Sequence, residues 1–255
     1  MVFLKVNFGG FVPLSTVDWR GRAVCTVFLR GCPVRCHYCQ NAAILNGTDE
    51  REIGDVLAMI KESSLIVSGV VFSGGEATMQ KEALLALAKG VKTMGLGVGL
   101  QTNGVYPDTI RALLEPGLVD KVSLDLKTQW RHYNNLLKKD FADRVRESLR
   151  LCTEAHHTGT LPEFEVVVTT FRGCEDDIAY IAKDAGSVDL VLQQGVLAGV
   201  APLDFGELAA VADRLGRSVR IRTRQDGEVA YEGRRIVRAE SIDVSAIEQE
   251  RRSER

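Results

Sequence analysis

The chain has 255 residues, of which 45% are hydrophobic and 26% charged, and its formal net charge is −2. That length suits one large α/β domain or two small ones, and the composition is that of an ordinary globular protein. The near-neutral balance gives no general argument for a nucleic-acid partner, no apolar run spans a bilayer, and six cysteines are too few for a disulfide scaffold.

The opening stretch, MVFLKVNFGGFVPL, is apolar but lacks a basic lead and a clean apolar core. It reads as folded protein and not as a signal peptide, so a cytoplasmic location is expected. Six apolar, β-rich runs then alternate with segments of helical periodicity. Ala23–Leu29 is the first strand; a helix follows with Ile53, Val56, Leu57 and Ile60 on one face. Ile66–Phe72 precedes a helix carrying Leu84, Leu87, Ala88 and Val91, and Gly97–Thr102 precedes a short helix near Asp108–Leu114. Val119–Leu126 leads through a polar stretch to a helix around Ala142–Ala155. Phe164–Thr169 is followed by Ile178, Ile181, Ala182 and Ala185 at helical spacing, and Val188–Gln193 by Leu208, Val211, Ala212 and Leu215.

Near-continuous apolar strands are buried on both faces, which requires parallel strands crossed over by helices. Six such units predict an α/β fold, a partial (β/α)6 TIM-like barrel, with a doubly wound open sheet as the alternative. After residue 215 the pattern changes. Val219–Thr223, Glu228–Tyr231 and Arg234–Val237, with a turn at Asp226-Gly227, predict a small C-terminal β appendage, so the division is 1–215 and 216–255. The charged end, Glu248–Arg255, is expected to fray. Seven arginines against three acids between Arg217 and Arg238 form a basic stretch, either a solvated face or a patch for RNA.

Three cysteines crowd into the loop after the first strand, Gly31-Cys32-Pro33-Val34-Arg35-Cys36-His37-Tyr38-Cys39-Gln40-Asn41. Structural zinc takes four protein ligands, and His37 is poorly placed as a fourth beside Cys36. An iron–sulfur cluster usually takes four thiolates, so three leave one iron open to a ligand. A zinc knuckle remains the competing reading. Cys25, Cys152 and Cys174 have no such spacing and read as buried small hydrophobes.

The C-x3-C-x-aromatic-C pattern, with Tyr38 in the aromatic position, resembles the signature of the radical S-adenosylmethionine (SAM) superfamily. The resemblance implies that Cys32, Cys36 and Cys39 hold a [4Fe–4S] cluster, that the free iron binds SAM, and that the Tyr38 backbone lies against adenine. Gly74-Gly75-Glu76 ends the second strand and looks like the superfamily's GGE motif, whose glycines let the backbone approach the methionine moiety. Taken alone it would be a tight strand-to-helix turn.

Gln101-Thr102-Asn103-Gly104 and Asp125-Leu126-Lys127 look like the T-N-G and D-L-K segments of glycyl-radical-enzyme activases. There they flank the cofactor, with the lysine a point charge opposite its carboxylate and Thr102, Asn103 and Asp125 as wall residues. Gln101 stands where the activase of pyruvate formate-lyase has an aspartate that helps hold a monovalent cation, and a neutral amide weakens any such site. Val166–Asp177 resembles the activase fifth strand; Gln193, ending the sixth, occupies the place of a ribose contact. Ser15-Thr16-Val17-Asp18-Trp19-Arg20-Gly21 resembles the segment before the first strand in activases of anaerobic ribonucleotide reductase. The resemblance therefore implies SAM cleavage to a 5′-deoxyadenosyl radical. It also implies a glycyl radical enzyme as partner, foremost an anaerobic ribonucleoside-triphosphate reductase, and a flavodoxin- or ferredoxin-type electron donor.

Overall fold

The computed structural model describes residues 4–137, 141–233 and 235–237; Arg234 and the charged end Glu248–Arg255 lie outside the described residues. The strands are β1 (Lys5–Ser15), β2 (Val24–Leu29), β3 (Glu50–Glu52), β4 (Gly69–Gly74), β5 (Gly97–Thr102), β6 (Lys121–Asp125), β7 (Glu163–Thr170), β8 (Asp189–Gln194), β9 (Val219–Thr223), β10 (Gly227–Glu232) and β11 (Arg235–Val237). The helices are α1 (Ile53–Ser63), α2 (Lys81–Thr93), α3 (Pro107–Leu114), α4 (Trp130–Leu137), α5 (Ala142–His157), α6 (Glu175–Ala185) and α7 (Phe205–Leu215).

All eleven strands form one sheet in the order β11-β10-β9-β8-β7-β6-β5-β4-β2-β1-β3. β2 and β4 to β9 run parallel, and the strands at both edges are antiparallel. The six expected strands are thus the centre of an open, mostly parallel sheet of the partial-barrel type. A seventh parallel strand comes from Val219–Thr223. Because α7 carries the chain back across the sheet, that segment joins β8 in parallel, and the β10 hairpin extends the same sheet.

One face of each strand packs under the helices. Val70, Phe72, Val98, Leu100, Val122, Leu124, Val166 and Leu192 meet Leu84, Leu87, Val91, Ile110, Leu113, Ile178, Ile181 and Leu208 in one continuous buried core. Each such side chain contributes about 1.5–3 kcal/mol by leaving water. The expected Ile66 start of the second strand is not realised. Leu65 and Ile66 are exposed in a turn, and pairing begins at Gly69.

The opposite face lines the lumen. At its floor, where the strands begin, Trp19 is fully buried against Val24 and Val71. Gly99 and Gly69 make room for the indole: a Cβ on either would sit 3.1–3.4 Å from its ring carbons. The indole N–H donates to Glu163 at 2.9 Å, and the Arg22 guanidinium lies 4.7 Å from the ring centroid. Above this floor, Glu165 is buried among Lys121 (3.3 Å), Arg220 (2.6 Å) and Arg222 (3.5 Å), and accepts from Ser123 at 2.6 Å. Glu228 of β10 pairs with Arg220 at 2.8 Å and Arg222 at 2.6 Å. Two arginines of the basic stretch are therefore inward-facing partners of two acids, which ties β9 and β10 to the lumen wall.

Candidate active site

The loops at the carboxyl ends of the parallel strands share one rim of the sheet, the place where such folds assemble reactive groups. The cysteine loop leaves β2 there. Gly31 N–H donates to the Ile44 carbonyl at 2.9 Å, and Cys39 N–H to the Cys36 carbonyl at 3.1 Å. Arg30 bonds the carbonyls of Phe8 (3.2 Å), Ala43 (3.3 Å) and Asn46 (3.0 Å). Arg35 reaches the Cys32 carbonyl and, at 2.8 Å, Asn46 Oδ1. A loop this long stays ordered because its inward carbonyls have these donors. Cys32 is buried, and Cys36 and Cys39 are half-buried. Burial pushes the Cys32 thiol up to about 11 and raises that of Cys36. Binding of a metal by these two thiols would therefore release protons.

Gly74 and Gly75 sit directly behind this loop. Gly75 N–H donates to the Leu29 carbonyl at 2.9 Å, and Glu76 N–H to the Gly31 carbonyl at 2.8 Å. A Cβ on Gly74 would lie 2.3 Å from the Leu29 carbonyl oxygen, and one on Gly75 2.2 Å from that of Gly31. The positive φ of Gly74 (124°) adds a second requirement for glycine. These glycines thus admit the backbone of the cysteine loop itself. Asn41 Nδ2 donates to the Gly74 carbonyl at 2.7 Å and secures the loop's far end.

Glu76 is buried and works as a clamp. Its Oε1 accepts from Thr78 N–H (3.1 Å), the Thr78 hydroxyl and the Thr102 hydroxyl (2.7 Å), and its Oε2 accepts from Asn103 N–H (2.8 Å). Burial raises its carboxyl above the ordinary range, and these four donors oppose the rise. Asn103 in turn directs its side-chain amide at Cys32 Sγ, 3.6 Å away. The T-N-G segment therefore meets the cysteine loop physically.

Asp125 and Lys127 complete the rim. Lys127 Nζ bonds Asp125 Oδ2 at 2.5 Å, lies near the Cys36 thiol, and stands 5.5 Å from the centroid of the Tyr38 ring. Burial disfavours the ammonium, but the Asp125 charge overcomes this and holds Lys127 well above its ordinary value. Tyr133 from α4 accepts from the Lys127 backbone N–H at 3.1 Å and fixes this turn. Asp125 Oδ1 is buried without a hydrogen-bond partner. A buried carboxylate oxygen left open near the Cys36 thiol marks a place for a donor or cation from a bound group.

Tyr38 packs on Phe171 (centroids 4.9 Å apart) and edge-on to His37 (5.0 Å). Together with Lys127, Thr169, Leu197 and Val200 they line a cavity of about 370 Å³ beside the cysteine loop. Phe171 lies across Gly195, where a Cβ would come within 2.4 Å of its ring. Cys174 is also in this wall, half-buried, with its thiol donating to the Phe171 carbonyl at 2.8 Å. Gln193 lies farther along β8, its side-chain amide oxygen Oε1 accepting from Arg222 at 3.1 Å.

Sequence reading gave no role to Tyr133 or Phe171, and none to the side chain of Asp18. The Asp18 carboxylate accepts from Thr26 (2.7 Å) and from Gln101 Nε2 (3.3 Å), while Gln101 Oε1 accepts from Ser73 (2.7 Å). Both ends of the amide at the expected cation position are thus already engaged. The S-x-x-D spacing was the available signal: Ser15 Oγ accepts from the N–H groups of Val17 and Asp18, both at 3.3 Å, and shapes the turn that sends Asp18 inward.

A parallel α/β sheet with a three-cysteine loop on its carboxyl rim, backed by a diglycine turn, defines the architecture of enzymes that bind SAM at an iron–sulfur cluster. A sequence model described as the Radical SAM superfamily matches residues 26–177, and this chain belongs to that superfamily. A Methanocaldococcus jannaschii protein provisionally named a glycyl-radical enzyme activating enzyme is 29% identical over 196 residues, 73% of this chain and 78% of its own. The pyruvate formate-lyase 1-activating enzyme of Escherichia coli is 34% identical over 126 residues, 46% of this chain and 50% of its own. The 7-carboxy-7-deazaguanine synthase of M. jannaschii is 25% identical over 191 residues, 68% and 75% of the two chains. Among solved structures, TYW1 with a lysine-pyruvate adduct bound superposes with a TM-score of 0.61 at 16% identity, covering 84% of this chain and 82% of its own, a likeness of fold. Among the described residues no helix is long and apolar enough to cross a membrane.

Proposed function

We propose that this radical SAM enzyme installs a glycyl radical on a partner enzyme, with an anaerobic ribonucleoside-triphosphate reductase as the leading target. The observation that carries the reading is the meeting of four separate segments at one rim: the cysteine loop, Glu76, Thr102-Asn103 and Asp125-Lys127. The first two of these segments resemble the radical SAM superfamily at large and the last two resemble glycyl-radical-enzyme activases, and two of the relatives above carry that activity in their names.

Cys32, Cys36 and Cys39 would hold a [4Fe–4S] cluster, and the donor set fits, since three thiols leave one iron for SAM. The bound cluster and SAM supply, on input of one electron, reductive C–S cleavage to methionine and a 5′-deoxyadenosyl radical able to take hydrogen from carbon. The rest falls to this chain's side chains. Lys127, kept protonated by Asp125, presents a fixed positive charge to the cofactor's carboxylate. Asp125 Oδ1 offers a free acceptor beside it. Tyr38 and Phe171 form the aromatic wall of the cavity, which shields the rim from water. Glu76 keeps the β4 and β5 ends in register with the loop, and Gln193 with Thr102 would form the remaining wall.

The test is anaerobic reconstitution with iron and sulfide, then reduction by a flavodoxin- or ferredoxin-type donor with SAM and a candidate reductase. A glycine-centred paramagnetic doublet on the reductase is the expected result. Formation of 5′-deoxyadenosine without any doublet on any glycyl radical enzyme overturns the proposed substrate. Small-molecule chemistry then becomes the reading to pursue, given the similarity to the deazaguanine synthase. An RNA substrate is disfavoured because Arg220 and Arg222 are already paired inside the lumen. Full zinc occupancy of the three thiols in air-free protein would remove the catalytic reading altogether.

A further inference from the structure

We infer that Asn103 is a positioning residue that acts through Cys32, by donating its carboxamide N–H to the sulfur that would ligate the cluster. This rests on the cluster reading above and adds a role for a residue that the sequence resemblance placed only in the cofactor wall.

Three contacts lock the carboxamide. Asn103 backbone N–H is held by Glu76 Oε2 at 2.8 Å. Its Oδ1 accepts from the Val105 backbone N–H at 3.2 Å, an Asx-type turn that identifies the other end of the amide as nitrogen. That nitrogen then faces Cys32 Sγ at 3.6 Å, within the range of an N–H···S bond. Gly104 follows with a positive φ of 75°, and a Cβ there would lie 2.7 Å from the Leu124 side chain, so the turn that carries Asn103 requires glycine at this position. Asn103 is also buried, so water does not compete for its N–H.

Cys32 Sγ receives a second donor, the Val34 backbone N–H at 3.4 Å. Donors to a ligand sulfur stabilise the more negative, reduced form of an iron–sulfur centre and orient the ligand. Asn103 therefore favours electron uptake at the cluster through Cys32. Only an amide meets both demands: Asp offers Val105 the same acceptor but no donor to sulfur, and Leu offers neither.

The experiment uses the full chain, anaerobically reconstituted, with Asn103→Ala and Asn103→Asp beside the native protein. The midpoint potential of the cluster is measured by redox titration followed by paramagnetic resonance, with iron content and melting temperature as controls. Both variants are expected to titrate at more negative potential, Asn103→Asp further because it adds a negative charge. A native-like potential in Asn103→Ala with full iron content overturns the inference. Should Asn103→Ala fail to retain iron, the native protein still decides. With asparagine labelled by 15N in the carboxamide, the reduced cluster should show a 15N hyperfine coupling in pulsed resonance. No coupling on an intact native cluster overturns the hydrogen bond alone. A native chain that assembles no cluster at all overturns the functional reading beneath it.

Discussion

Glu76 Oε2 and the Asn103 backbone N–H meet at 2.8 Å, and this bond joins the ends of β4 and β5 beneath the cysteine loop. Glu76 is buried and takes three further donors, so its removal strands Thr78, Thr102 and Asn103 donors at once. Glu76→Ala is expected to cost about 3 kcal/mol or more, since each buried unsatisfied donor costs about 1–3 kcal/mol. Glu76→Gln should cost less but not be silent, because one end of the amide becomes a donor facing donors. Chemical denaturation of both variants reads the difference, and native stability in Glu76→Ala would refute the clamp.

Gly75 has no room for a methyl group, the Gly31 carbonyl oxygen standing 2.2 Å from where its Cβ would be. Backbone cannot move aside as a flexible side chain does. Gly75→Ala should therefore displace the cysteine loop and lower iron content after reconstitution at least severalfold. Gly54→Ala is the matched control: α1 is open around that position, and the change should be neutral or stabilising by about 0.4–1 kcal/mol.

Lys127 and Asp125 are coupled at 2.5 Å with the lysine buried. Lys127→Met leaves that carboxylate without its cation and removes the charge opposite the cofactor's carboxylate. We expect SAM affinity to fall on the order of ten- to a hundredfold, the scale of losses at supporting residues of metal sites. Lys127→Arg should recover little, since a planar guanidinium does not fit the space of an ammonium between Tyr38 and Asp125. Equilibrium binding, together with 5′-deoxyadenosine formation, measures both.

The lumen predicts a pH dependence of stability. Burial would raise the Glu165 carboxyl, but Lys121, Arg220 and Arg222 overcome it and hold it at about 2, against an ordinary value of 4.5. A lowered carboxyl stabilises the fold fully above the ordinary value, and that stabilisation is lost as pH falls from about 4.5 toward about 2. The gap corresponds to on the order of 3 kcal/mol. Urea denaturation between pH 7 and pH 3 should show this loss in the native protein, and Glu165→Gln should flatten the profile while being less stable at pH 7.

Much of this was legible because apolar runs and short spacings are local signals. The six central strands showed themselves as near-continuous hydrophobic segments, and Cys32, Cys36, Cys39 and Tyr38 lie within eight positions. What was hidden depends on partners far along the chain. β1 mixes glycines and exposed positions, and it becomes a strand only when β2 pairs with it. α4 lies in a polar stretch and takes its purpose from Tyr133 beneath Lys127. Asp18 finds Gln101 and Trp19 finds Glu163 only once the sheet has curled. Arg220 and Arg222 looked like part of a surface charge run because Glu165, one of the two acids they share, is on a distant strand. The diglycine was recognised by pattern, but its steric reason, the backbone of Leu29 and Gly31, could be seen only in space.

Trp19 stoppers the end of the lumen opposite the cysteine loop. A group held at the rim consequently has below it an indole packed against Val24 and Val71 and no passage between them. The floor is thereby plugged by the indole, so exchange with solvent falls to the rim that carries the cysteine loop and to the side where the edge strands of the open sheet stay apart.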